Sequence, residues 1–210
     1  MELTELYQAV VNGKAPVVKE GVQAALDAGV SSSQLMFECL VPAMQEVGER
    51  FERHEFFVPE MLIAARAMQG GLAILRPLMI ASGVEPVGKV VLGTVKGDLH
   101  EIGKNLVGIM LEGAGFQVED IGVDASADKF VDAATKSGAQ VVAMSALLTT
   151  TMPAMKSVID AFAKAGVRDN VKIMVGGAPV TQAYADQIGA DGYAPDASGA
   201  ARKAKELLGL

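Results

Sequence analysis

The chain contains one cysteine, no tryptophan and two histidines in 210 residues, and each scarcity removes a class of chemistry. Cys39 alone can form no intrachain disulfide and has no partner at metal-ligand spacing, which suits a reducing compartment. Basic residues are also outnumbered, 18 Lys and Arg against 25 Asp and Glu, for a formal charge of −7. A phosphate backbone needs a clustered basic surface, and none is found, so no nucleic-acid partner is expected. No apolar run of transmembrane length is read, and residues Met1 to Glu5 have neither a basic n-region nor an apolar h-region. An unexported, cytoplasmic protein with no membrane partner is the expectation.

What is abundant is apolar residues, 50% of the chain, enough for a sizeable core. They change character near residue 85. From Leu3 to Met79 they recur at helical spacing: Met36, Leu40, Met44, Val47 and Phe51 share one face, and Met61, Ala64, Ala65, Met68, Leu72 and Leu75 another. Asn12-Gly13 ends a first helix, Pro16 opens a second, Gly29 ends it, Ser31 to Gln34 reads as a capping box, and Pro59-Glu60 suits a first helical turn. Four short-linked helices predict a bundle. After a linker from Ala81 to Pro86, strands alternate with helices. Five strands are predicted at about 89–95, 116–121, 140–146, 171–175 and 191–194, making a Rossmann-like α/β domain with a parallel sheet. The expected domains are 1–86, helical bundle with linker, and 87–210, α/β.

Three motifs stand in the second domain: Asp98-Leu99-His100-Glu101-Ile102-Gly103, Ser145-Ala146-Leu147 and Gly176-Gly177. The first follows the β-branched run from Lys89 to Val95, after Lys96-Gly97, and precedes a helical pattern of Ile102, Leu106, Ile109 and Met110. His100 therefore belongs to a strand-to-helix loop, which in a parallel sheet lines the ligand crevice. Asp98 is near enough to bond the imidazole, fixing its tautomer and leaving the other nitrogen as a metal donor. Ser145 ends another buried-strand pattern and emerges on the same sheet edge. A glycine pair after the strand ending at Val175 admits a bulky ligand or a neighbouring backbone, or makes a plain tight turn. Thr149 to Thr151 before Pro153 also read as hydroxyls capping a helix.

With 41 residues between Gly103 and Ser145 and 28 between Leu147 and Gly176, the motifs resemble in type, order and interval the corrinoid-binding signature of B12 proteins. The whole chain is similar to corrinoid proteins of methyltransferase systems and to the matching module of cobalamin-dependent methionine synthase. The resemblance implies a cobalamin cofactor with His100 as the lower cobalt ligand in place of the cofactor's own benzimidazole. It further implies that Gly97, Asp98, Leu99, Glu101 and Gly103 form the loop around that ligand. The displaced nucleotide tail would then run between Ser145, Leu147, Thr149, Gly176, Gly177 and, by a looser match, Ala197. Residues Gly48 to Phe51 and Phe56 to Glu60 are similar to the family's cap segment, which implies that Phe57 shields the reactive cobalt face; stapling of the last helix is the structural alternative. His100 is implied to bind in the methylated six-coordinate state and to leave in the Co(I) state, with Asp98 stabilising the released, protonated ring. A serine backs the aspartate in methionine synthase, and Thr151 stands at that position here.

The implied function is methyl carriage. A substrate-specific methyltransferase would load the cobalt, a second methyltransferase would pass the methyl to an acceptor such as tetrahydrofolate, and a reductive activator would serve the pair. Methoxylated aromatics, methylamines, methanol and betaines all remain open as donors. An adenosylcobalamin mutase subunit would ordinarily need a substrate barrel. A B12-dependent sensor or regulator would use a cap tryptophan and a DNA-binding segment, and the last alternative is a flavodoxin-like domain without a corrin.

Overall fold

The structure is a computed structural model describing residues 2–210. The chain divides into two compact units, one up to Val87 together with Glu112–Gly115, the other Gly88–Leu111 with Phe116–Leu210.

The first unit is helical: α1 Leu3–Val11, α2 Ala15–Asp27, α3 Ser32–Gln34 running through a π-helical stretch, Leu35–Leu40, into α4 Val41–Glu52, and then α5 Val58–Ala81. Gly13 and Gly29 take positive φ at the ends of α1 and α2, and Ser31 Oγ accepts from the Gln34 N–H to start α3. The π turn is not foreseen by the 3.6-residue pattern, and Pro42 gives its reason. A proline has no N–H to return to the preceding turn, and the wider bonding, with the Val41 N–H on Met36 O, leads into it. Met36, Leu40, Met44 and Val47 remain buried despite the change of pitch. The expectation of no apolar run of transmembrane length needs correction: α5, at 24 residues with a mean hydropathy of 1.2 over its best window, has the length and composition to cross a membrane. Core helices of bundles share that composition, and Met61, Ala64, Ala65, Met68, Leu72 and Leu75 of α5 are all buried.

The second unit alternates strands and helices: β1 Lys89–Thr94, α6 Ile102–Gly113, β2 Gln117–Asp120, α7 Ala127–Ser137, β3 Val141–Ser145, α8 Pro153–Lys164, β4 Lys172–Gly176, α9 Gln182–Ile188, β5 Gly192–Ala194 and α10 Ala197–Leu207. The sheet is parallel throughout, in the order β2-β1-β3-β4-β5. β1 is buried from Val90 to Thr94, as its continuous apolar run predicts for a strand covered on both faces. The next two strands in the chain flank it on opposite sides, β2 on one and β3 on the other. That reversal opens a crevice beyond the carboxyl ends of β1 and β3.

Register carries the arrangement further. Thr94 pairs with Ser145, Ser145 with Gly176, and Gly176 with Ala194, so four strands end in one row and all three motifs leave the sheet side by side. Beneath the row, Phe130 of α7 and Phe162 of α8 pack with Val91, Val142, Ile173 and Val175 on one face. Gly93 is a glycine because a Cβ there would stand 2.7 Å from Ile121 Cγ1 and 2.8 Å from Phe130 Cζ. Replacing Phe130 by Ala should cost about 3–5 kcal/mol in denaturant unfolding, the range for an aromatic truncated in a packed core; a loss below about 1 kcal/mol would contradict this packing.

Candidate functional site

Residues 95–101 form the loop between β1 and α6, and Asp98 is its buried centre, with no side-chain exposure. Its Oδ1 accepts from the His100 N–H at 3.0 Å and meets His100 Nδ1 at 2.7 Å. Its Oδ2 accepts from the Leu147 N–H at 2.8 Å, the Leu148 N–H at 3.4 Å and the Thr151 hydroxyl at 2.7 Å. Burial alone would raise the carboxyl pKa. The donors from His100, Leu147 and Thr151 outweigh it and hold Asp98 well below the usual carboxylate range. An ionised carboxylate only accepts, so Nδ1 carries the proton and the lone pair of the imidazole lies on Nε2. The His100 side chain is 51% exposed, so Nε2 can be offered outward. Buried Thr94, at the end of β1, donates its hydroxyl to the His100 carbonyl at 2.9 Å, fixing the histidine from behind.

The three motifs are thus joined by hydrogen bonds as well as by register. The leucine of the second motif serves the site through its N–H on Asp98, while its side chain is exposed. Thr151 corrects the helix-cap reading: α8 has no side-chain cap, and the Thr151 hydroxyl is turned to Asp98. The glycine pair also gains a definite reason. Gly177 has φ +130, and a Cβ on it would stand 1.9 Å from Ala146 O, so the close approach is that of the neighbouring backbone. A Cβ on Gly176 would likewise stand 3.1 Å from Ala194 O.

The remaining candidates fall in different settings. Gly97, with φ +84, and Glu101 are exposed on the His100 loop, and Thr149 is exposed beyond β3. Ser145 is half-buried at the strand end. Ala197 is buried as the first residue of α10, whose start is capped by Asp196 Oδ1 accepting from the Gly199 N–H at 2.7 Å. Phe57, in the first unit, is the N-cap residue of α5 and 62% exposed, so it staples nothing, whereas Phe56, the other aromatic of the stapling alternative, is half-buried with Arg50 of α4 5.1 Å from its ring centroid. Two buried polar residues beside the motifs carry no motif letter. Thr94 could be suspected as a polar residue closing an apolar strand, and Lys104, buried in α6 and paired with Asp120, as a charge on an apolar helix face.

The surroundings of His100 suit a large ring-bound metal. One imidazole would be a single donor, adequate only where a macrocycle supplied the other ligands. Leu99, Leu147 and Leu148 on the two loops that carry the Asp98 network, with Ile102 at the start of α6, leave apolar side chains 72%, 43%, 42% and 79% exposed, the kind of patch a bound group covers. Gly103 lies in the first turn of α6 with open space where a Cβ would be, so nothing within the protein requires a glycine there.

Comparison with known proteins agrees. A family described as the B12 binding domain matches residues 88–202, and a second of the same description matches residues 2–76. The chain belongs to the corrinoid-protein family. Dimethylamine corrinoid protein 1 of Methanosarcina acetivorans is 45% identical over 98% of this chain and 97% of its own length, and the dimethylamine corrinoid protein of Methanosarcina barkeri is 47% identical over 98% and 97%. Among solved structures, a cobalamin-binding protein from Desulfitobacterium hafniense matches with a TM-score of 0.82 at 29% identity, covering 99% of this chain and 98% of that one. A chain of the methanol:cobalamin methyltransferase complex of Methanosarcina barkeri matches with a TM-score of 0.85 at 31% identity, covering 98% and 79%. The cofactor of this corrinoid protein is a cobalamin-type corrinoid.

Two substitutions separate structure from binding. Thr151→Val leaves Oδ2 without its hydroxyl donor and should lower stability by about 1–2 kcal/mol, with Thr151→Ser retaining most of it, as read by chemical unfolding. Gly103→Ala should stabilise the cofactor-free protein by about 0.5 kcal/mol yet weaken corrinoid binding about tenfold; unchanged binding in a titration would show that the open space is not used by the cofactor.

Proposed function

We propose that this corrinoid protein carries a methyl group between two methyltransferases, with His100 as the lower cobalt ligand and a methylamine as the original donor. The observation that supports it most is the tautomer imposed at His100: Nδ1 is tied to a buried, ionised Asp98, so the basic nitrogen is the outward Nε2. When bound, the corrinoid supplies a cobalt centre that takes up and gives up the methyl group. His100 would hold that centre through Nε2, the nitrogen left unprotonated by the Asp98 contact. Were Nε2 released and protonated, Asp98 would stabilise the resulting imidazolium through Nδ1. Leu147 and Thr151 keep Asp98 ionised through the change by continuing to donate to Oδ2.

The other assignments follow the same reading. Gly97, Leu99, Glu101 and Gly103 surround the ligand histidine, and Leu99, with Ile102, excludes water from it. Ser145, Leu147, Thr149, Gly176, Gly177 and Ala197 serve the nucleotide tail, and Phe57 serves the opposite cobalt face. Residues 1–86 act as the cap domain and 87–210 as the cofactor domain. Donor class is argued from the two dimethylamine relatives, each matched over nearly its whole length. Tetrahydrofolate as acceptor, a substrate-specific partner enzyme, a reductive activator and a cytoplasmic site of action complete the proposal on the resemblance to the methionine synthase module.

Anaerobic reconstitution with methylcobalamin tests the ligand assignment. The wild-type protein should retain corrinoid with a nitrogen-ligated visible spectrum, and His100→Ala should bind it base-off. Failure of the wild-type protein to retain corrinoid would overturn the proposal. For the donor, a dimethylamine:corrinoid methyltransferase should methylate the reduced protein with dimethylamine, and a methanol-specific enzyme should not do so with methanol; the reverse pattern would reassign the donor.

A further inference from the structure

We infer that Asp124 is a positioning residue for the lower ligand, clamping the His100 loop from the neighbouring β2–α7 loop; the inference rests on the ligand role proposed for His100. Asp124 has φ +49, and of the described non-glycine residues only it and His54 have positive φ. That left-handed conformation is costly for most side chains and is tolerated best by Asn and Asp. The conformation accompanies two opposed hydrogen bonds. Oδ1 of Asp124 accepts from the Gly97 N–H at 2.8 Å, and its own N–H donates to the Asp98 carbonyl at 2.9 Å. Residues 97 and 98 are therefore gripped from both polarities by one amino acid. Gly97 is itself at φ +84, so the chain makes two left-handed turns facing each other across the clamp.

The neighbouring contacts fix the frame of this clamp without duplicating it. The Thr94 N–H donates to Gly122 O, the Ala125 N–H donates to Thr94 O, and Val95 and Ala125 form an isolated parallel bridge. These hold the 122–125 loop against the end of β1 but make no bond to residues 97 or 98. Lys96 Nζ, 3.4 Å from Asp124 Oδ1, is largely exposed and so adds little. Release of the Gly97 N–H would free the turn that aims Asp98, and with it the Nδ1 bond that aims Nε2. A loop already ordered before the cofactor arrives spares the ordering cost on binding.

The variants Asp124→Ala, Asp124→Gly and Asp124→Asn distinguish a clamp from a strained turn. Glycine relieves the backbone and removes the acceptor, whereas asparagine keeps both the conformation and a side-chain oxygen. Two readouts apply: amide hydrogen exchange at Gly97 in cofactor-free protein, and the fraction of nitrogen-ligated corrinoid in the visible spectrum at saturating methylcobalamin. Asp124→Ala and Asp124→Gly should speed Gly97 exchange at least about tenfold, the equivalent of about 1.4 kcal/mol, and lower the nitrogen-ligated fraction several-fold, with Asp124→Asn close to wild type in both. A wild-type nitrogen-ligated fraction in Asp124→Gly, with His100→Ala base-off, would overturn the clamp and leave the ligand assignment standing. A wild-type protein whose corrinoid shows no nitrogen ligation would overturn both.

Discussion

One buried carboxylate organises this protein. Asp98 draws the His100 imidazole and backbone N–H, two backbone N–H groups of the loop after β3 and the Thr151 hydroxyl onto a single pair of oxygens. A charge with no solvent exposure is tolerated only when its acceptor capacity is filled, and here five donors fill it. The consequence is chemical as much as structural. The same contacts that satisfy the carboxylate select the histidine tautomer, and the tautomer decides which nitrogen a metal can use.

That concentration of donors depends on sheet geometry. β1 and β3 are adjacent because the strand order reverses at β1, and their register sets Thr94 beside Ser145. Residues nearly fifty apart in sequence are then close enough to share Asp98. Gly177 belongs to the same logic: its φ of +130 and lack of a side chain let the β4 end pass against the Ala146 backbone. The third motif thus has a structural reason of its own. A requirement for bare backbone there holds whether or not a cofactor lies in the slot.

Much of this was legible in the sequence, for identifiable reasons. The five strands follow from continuous apolar, β-branched runs, and the DxH loop from a strand-then-helix pattern with a glycine break; both signals are local. The strand order is not local, since it depends on which faces the helices cover, and no residue pattern announced it. Thr151 was legible locally only as a hydroxyl before a proline, and as the residue backing Asp98 only through the family resemblance, because its partner is 53 positions away. The π turn before Pro42 escaped for a different reason: helical periodicity averages over a one-residue widening. Asp124 left no signature at all, being one aspartate in a loop whose role arises only from its φ and from two bonds to a distant segment.

The central claim is that a protein imidazole, held through Asp98, is the lower ligand of the bound corrinoid. Electron paramagnetic resonance of the Co(II) form, in protein labelled with 15N-histidine and loaded with unlabelled cobalamin, tests it most directly. Superhyperfine coupling to a 15N nucleus splits each resolved cobalt line into a doublet, and that doublet is the predicted result. A triplet pattern, the signature of 14N from the cofactor's own base, or lines with no nitrogen splitting, would contradict the account.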